Sequence, residues 1–97
     1  MIAMEEEVLR VRMPVENEVF GVVETKLGGN KVQVRCQDGN TRICRIPGKM
    51  KSKMWIKVGD VVLIKPWPIK GEERGDVVWQ YSKAQVEYLR EKGILKL

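Results

Sequence analysis

The sequence contains no histidine, and that absence narrows the chemistry at once. Histidine is the side chain that most often moves protons near neutral pH, so a general acid–base enzyme loses its first candidate. The remaining carboxylates gather in runs such as Glu5-Glu6-Glu7 and Glu72-Glu73, where solvated surface charge is the plainer reading. A glycine-rich phosphate loop ending in Lys-Ser or Lys-Thr is missing too. An enzyme is not expected, and neither is a catalytic residue. Cysteine is nearly absent: Cys36 and Cys44 are the two present, and without histidine they cannot complete the usual zinc spacings. No metal or other cofactor is expected. Neither a two- nor a three-residue loop around Asp38-Gly39 sets the two thiols opposite each other, so they read as small buried hydrophobes rather than a disulfide. No apolar run approaches the ~18 residues that a membrane span needs. Met1 to Glu7 lacks the positive start and apolar stretch of a signal peptide. The expected location is the cytoplasm.

What is present is positive charge, and it is segregated. Between Lys31 and Lys57 lie eight of the eighteen basic residues and a single acid, Asp38, for about +7. The other seventy residues hold ten basic and twelve acidic groups, so the net +5 of the chain hides a cationic face on a nearly neutral body. Such a face is the electrostatic footprint of a surface that meets phosphates. Trp55 lies within the stretch and Trp67 shortly after it, so flat rings for stacking lie near the charge. Charged residues make up 32% of the chain, above the ~25% norm, a level that RNA binders and proteins of hot-living cells share. Hydrophobic content of 43% fits one small globular domain, and 97 residues bury ~60–65% of their unfolded surface, enough for a single modest core.

Residues 1–17 show little periodicity, with Pro14 and Asn17 interrupting, and are expected to form a flexible arm. Residues 18–27 are rich in β-branched side chains and end at Gly28-Gly29-Asn30, a turn cluster. Gly21 inside that strand predicts a bulge or bend. Lys31 to Cys36 alternates polar and apolar, leaving Lys31, Gln33 and Arg35 on one face. Asp38-Gly39 makes a hairpin turn and residues 41–46 return as the third strand. A three-residue loop puts Cys44 and Ile46 beside Val32 and Val34 on the core face. It also sets Arg45 beside Arg35 outside and leaves Arg42 near the barrel end. Residues 49–57 form a basic linker with room for one helical turn. Val61 to Lys65 reads as a strand covered on both sides, 69–75 as a charged loop, and 76–81 as a fifth strand. Ser82 and Gln85 form a capping box, Tyr81 and Val86 a hydrophobic staple, and Gly93 with Ile94 a Schellman stop, so residues 82–97 are a helix and short tail.

Five short strands, a glycine-kinked first strand and a long connection between strands three and four predict an all-β fold with one C-terminal helix. The expected architecture is a five-stranded Greek-key barrel of the OB type over residues 18–81. That fold presents oligonucleotides with its second and third strands and its loops, where the cations lie. The candidate RNA-binding residues are Lys31, Arg35, Arg42, Arg45, Lys49, Lys51, Lys53, Trp55 and Lys57. The lysines suit phosphates as point charges; the arginines offer planar forks for phosphates or bases. A solvated face is the alternative reading of the lysine run. Trp55 either stacks on a splayed base or anchors the linker to the barrel, and the anchor is preferred. Trp67 is open between the same two roles, and Trp79 is read as packing. A general single-strand binder on the same fold would want more stacking platforms than six aromatic residues supply, and a protein-interaction barrel whose charge only aids solubility is the third class.

A longer pattern joins these pieces. Gly28-Gly29-Asn30, Val34-Arg35-Cys36-Gln37-Asp38-Gly39, the run from Arg42 through Pro47-Gly48-Lys49-Met50-Lys51 to Trp55-Ile56, Gly59-Asp60-Val61-Val62-Leu63 and Asp76-Val77-Val78-Trp79-Gln80-Tyr81 follow one another as in translation initiation factor 1A. The chain resembles that family over roughly residues 10 to 95, and the shortness of its C-terminus resembles the archaeal form. The resemblance implies an OB-fold protein that binds the small ribosomal subunit, through its rRNA, at the aminoacyl-tRNA site. It implies promotion of subunit dissociation and stabilisation of initiator methionyl-tRNA alongside other initiation factors, without turnover or cofactor. A monomer is expected. Arg42, Arg45, Lys49, Lys51 and Lys53 match the family's basic positions. The acidic run Glu5 to Glu7 departs from a basic arm.

Overall fold

The computed structural model describes residues 11–48 and 55–97. Its strands are β1 (Val19–Gly28), β2 (Lys31–Cys36), β3 (Thr41–Arg45), β4 (Val61–Pro66) and β5 (Arg74–Gln80), followed by the helix α1 (Lys83–Glu91). They close into a barrel with neighbour order β1-β2-β3-β5-β4, which is the expected five-stranded architecture with one C-terminal helix. Every pairing is antiparallel except β3 with β5. β5 starts two residues before the expected Asp76, because Arg74 to Asp76 pair in parallel with Ile43 to Arg45.

Alternation along the strands builds two cores on the two faces of one sheet. Val23, Val32, Val34, Cys36, Cys44, Ile46, Ile56, Val62, Ile64 and Val77 fill the barrel. Phe20, Val61, Leu63, Tyr81, Leu89 and Leu95 form a second cluster where α1 and the C-terminal residues cover the outer face. β4 supplies both, Val62 and Ile64 inward and Val61 and Leu63 outward, which explains its unbroken apolar run. Both thiols are free and buried, with Val32 rather than Cys36 opposite Cys44. Burial pushes the Cys36 pKa up and takes that of Cys44 to about 12.

The helix has each terminal device that its sequence announces. The Ser82 hydroxyl accepts from the Gln85 N–H and the Gln85 side chain accepts from the Ser82 N–H, completing the capping box. At the far end Gly93 turns left-handed, Ile94 N–H donates to the Leu89 carbonyl and Gly93 N–H to that of Arg90, which is the Schellman pattern.

Three placements depart from expectation. The hairpin loop has three residues but lies one position earlier, Gln37 to Gly39, with Cys36 N–H donating to the Asn40 carbonyl. Partners therefore shift by two: Arg42 faces Val34, Arg45 faces Lys31 and Thr41 faces Arg35. The inward faces of both strands are unchanged, since an even shift keeps side-chain parity. Of the expected arm, residues 1–10 lie outside the described residues. Its later part is tied to the barrel: Val11 packs on the second core, Arg12 pairs with Glu18 at 3.1 Å, and the Tyr81 hydroxyl donates to the Arg12 carbonyl.

Gly21 is the third. The irregularities of β1 fall at Val23/Thr25 and Lys26/Gly28, so Gly21 is not the bulge. It pairs with Cys36 on one side and Val62 on the other, and an added Cβ would sit 2.3 Å from Val34 Cγ1 and 3.3 Å from the Arg35 carbonyl oxygen. The residue is glycine because the barrel interior leaves no room for more. Gly21→Ala is expected to cost about 1–3 kcal/mol by overpacking, on the order of 5–15 °C in Tm for a domain of this size. A thermal melt that does not move would show that Val34 turns aside freely.

Candidate nucleic-acid interface

The outward positions of β2 and β3 carry the cationic face. Lys31 and Arg45 stand opposite each other across the β2–β3 pair, and Arg35 lies at the other end of β2. Arg35 Nε is 3.3 Å from Glu24 Oε2, and Arg45 Nε is 3.3 Å from Asp76 Oδ1. Both arginines are more than half exposed, so these pairs are solvent-screened and worth only ~0–1 kcal/mol. A phosphate can replace either carboxylate at little cost.

Arg42 is not part of that face. It points into the barrel end and is 4% exposed. Its two terminal nitrogens donate to Asp38 Oδ1 and Oδ2 at 3.0 and 2.8 Å, and Nε donates to the Gly71 carbonyl. Burial works against its charge, but Asp38 more than offsets it and the pKa is raised. The hydrogen bond from Arg42 in turn holds the Asp38 carboxyl below its ordinary value. With its donors committed to Asp38 and Gly71, Arg42 welds the hairpin turn to the β4–β5 loop and has little left to offer RNA.

Lys49, Lys51 and Lys53 lie outside the described residues. Where the chain becomes described again, Trp55 is 82% exposed and Ile56 is buried in the barrel core. The anchoring expected of Trp55 therefore belongs to its neighbour. Gln80 Nε2 donates to the Trp55 carbonyl and to Asp60 Oδ2, and Asp60 Oδ2 also accepts from the Lys57 N–H. These bonds fix the entry to β4 and leave the Trp55 ring and the Lys57 side chain on the surface.

The structure adds residues that the sequence did not single out. A cleft of about 340 Å³ opens on the outer side of the β3–β5 junction, lined by Lys31, Ile43, Arg45, Trp67, Lys70 and Arg74. It gathers two of the expected cations, Lys31 and Arg45, with two from the charged β4–β5 loop and the start of β5. Trp67, 38% exposed, stands in its wall, and Trp79, expected to pack, is 37% exposed on β5. The signal for this cleft is the Pro66-Trp67-Pro68 punctuation followed by Lys70 and Arg74; it becomes spatial only when β5 starts at Arg74 and pairs with β3. Among the described residues no group of carboxylates and thiols is arranged to hold a metal. No helix among them is long and apolar enough to cross a membrane.

Comparison with known proteins agrees with this geometry. A family model described as translation initiation factor 1A / IF-1 matches residues 8–96. Translation initiation factor 1A of Methanopyrus kandleri is 54% identical over 91 residues, covering 94% of this chain and 81% of its own. That of Methanothermobacter thermautotrophicus is 52% identical over 92 residues, covering 95% and 93%. That of Archaeoglobus fulgidus is 48% identical over 97 residues, covering 98% and 99%. Among solved structures, the bacterial-type translation initiation factor 1 from the wolbachia endosymbiont of Brugia malayi superposes with a TM-score of 0.53 at 26% identity, over 68% of this chain and 78% of that one. YjeQ from Thermotoga maritima matches with a TM-score of 0.54 at 24% identity, over 67% of this chain and 23% of that larger one, and shares the barrel alone. The match runs through both cores, the helix and the cationic strands alike, and this chain belongs to the translation initiation factor 1A / IF-1 family.

Proposed function

We propose that this protein binds the small ribosomal subunit at the aminoacyl-tRNA site, promotes subunit dissociation and stabilises initiator methionyl-tRNA together with other initiation factors in the cytoplasm. It is a non-enzymatic translation initiation factor, and its family implies association with the ribosome. The observation that carries the finer reading is the outer face of β2 and β3. Lys31, Arg35 and Arg45 are exposed there, and the basic linker leads to a Trp55 ring that is 82% open. Lysines neutralise phosphates as point charges, while a guanidinium or an indole lies flat on an unstacked base. Decoding-site RNA offers both phosphates and unpaired bases. Binding there is a matter of occupancy and electrostatics, so nothing in the mechanism calls for turnover.

Purified small subunits, titrated with the protein and footprinted chemically, test this. Protection confined to the decoding region is expected; diffuse protection, or equal affinity for arbitrary single strands, would reduce the protein to a general nucleic-acid barrel. Replacing Lys49, Lys51 and Lys53 together by alanine should weaken subunit binding and flatten its salt dependence by roughly two to three phosphate equivalents. Folding should change little, since surface substitutions usually stay within ~0.5 kcal/mol. Equal affinity of the triple variant at low and high salt would remove the linker from the interface.

A further inference from the structure

We infer that the cleft at the β3–β5 junction is a preformed seat for one unpaired ribonucleotide, with Trp67 as the platform for its base. The inference rests on the RNA-binding reading above and adds to it a site outside the residues that reading uses for Trp55 and the linker.

Trp67 is held more firmly than a surface aromatic needs to be. Its Nε1–H donates to Asp76 Oδ1 at 3.0 Å, and its backbone N–H donates to the Arg74 carbonyl at 3.1 Å. Pro66 and Pro68 restrict the backbone on either side. The loop then folds back on it: a Cβ at Gly71 would come within 2.6 Å of the Trp67 carbonyl oxygen, so only glycine closes this ring of chain. An aromatic ring fixed before binding loses little conformational freedom on binding, which is what a stacking platform requires. Packing does not demand it, because the ring is 38% exposed and belongs to neither core.

Charge surrounds the ring on three elements. Lys31 comes from β2, Lys70 from the loop and Arg74 from β5, and among the described residues none of them has a carboxylate within ion-pair distance. Arg45 covers the ring loosely: its guanidinium carbon is 5.9 Å from the centroid, the outer reach of a cation–π contact. More than half exposed, it can swing onto an incoming base or phosphate. The apolar Ile43 forms part of the lining between the cations. A volume of about 340 Å³ is at the small end of ligand sites and suits one nucleotide, not a duplex. A fixed ring, an apolar wall and unpaired cations at the rim are the elements by which proteins hold a splayed base and its phosphate.

The test is equilibrium binding of the full chain and its variants to purified small ribosomal subunits, with melting curves as the control for folding. W67A is expected to bind roughly 5- to 100-fold more weakly at every salt concentration, the loss of one stacked base. W67F, which keeps a ring and loses the Asp76 bond, should recover most of that loss. K70A should lower the salt slope by about one. If wild type binds and W67A binds equally well, the seat is not used and the ribosome-binding reading stands. If W67F is as weak as W67A, the residue acts through its hydrogen bond and the stacking role falls. If wild type does not bind the subunit, both readings fall together. Should W67A fail to fold, the exposed rim carries the test: Lys70→Glu is expected to lose at least tenfold in affinity, and unchanged binding would overturn the inference.

Discussion

Replacing Asp38 by alanine is expected to destabilise the protein by about 3 kcal/mol, although Asp38 sits on a surface turn. The reason is its partner. Arg42 is 4% exposed, and the Asp38 carboxylate accepts from both of its terminal nitrogens. Removing one member of a buried pair leaves the other charge without compensation, which typically costs about 3–5 kcal/mol. The low end applies because a third of the Asp38 side chain is open to water, which can reach the orphaned guanidinium. Gly71 still accepts from Nε, so the loss is partial. Urea denaturation of D38A, R42M and the double variant measures the effect. Met fills the space without a charge, so the double variant should be more stable than D38A alone; if it is less stable, the pair itself is what the barrel end needs. Acid should reveal the same bond. The carboxyl is held below its ordinary value of 3.8 by Arg42, so the unfolded chain takes up that proton before the folded one does. The stability it supplies is complete well above that ordinary value and drains as pH falls below it and through the folded one. D38N should flatten that part of the acid limb.

Leu89→Ala carries the second large cost, about 2–5 kcal/mol. Leu89 is fully buried, under the outer face of the barrel, and its carbonyl accepts from both Ile94 and Leu95 N–H groups at the helix stop. The side chain removed here leaves a cavity among Phe20, Leu63, Tyr81 and Leu95. Phe20 and Leu63 belong to β1 and β4, the strands that close the barrel. The loss should therefore appear as one cooperative transition at lower urea, followed by both tryptophan fluorescence and backbone circular dichroism. Two separated transitions would mean that the helix unfolds from an intact barrel and that the second core is an appendage.

How much of this was written in the sequence depends on the range of the forces involved. The strand positions and both helix caps follow from neighbours a few residues apart: the alternation from Lys31 to Cys36, Ser82 with Gln85, Gly93 with Ile94. β4 announced its double burial because four apolar residues in a row can be hidden only by two covers. Arg42 shows where that legibility stops. Its place inside depends on a loop one position earlier than expected, and on a carbonyl at Gly71, twenty-nine residues away. Trp55 and Ile56 were exchanged for a similar reason: of two adjacent apolar residues only one can point inward, and local pattern does not say which. Clustered charge located the interface on β2 and β3, yet Trp67, Lys70 and Arg74 join it only through the parallel pairing of β5 with β3, a contact between segments far apart in the chain.

That pairing has a mechanical meaning. It is the shortest in the barrel, running only from Ile43 to Arg45 against Arg74 to Asp76. The cleft straddles it, with Lys31, Ile43 and Arg45 on one bank and Trp67, Lys70 and Arg74 on the other. Whatever grips both banks acts as a clasp. Its binding free energy adds to the closure of the ring, because a ligand that requires the closed form stabilises that form by mass action. The same coupling runs backwards: any change that tightens the seam improves the grip, and any change that lets it gape weakens both at once.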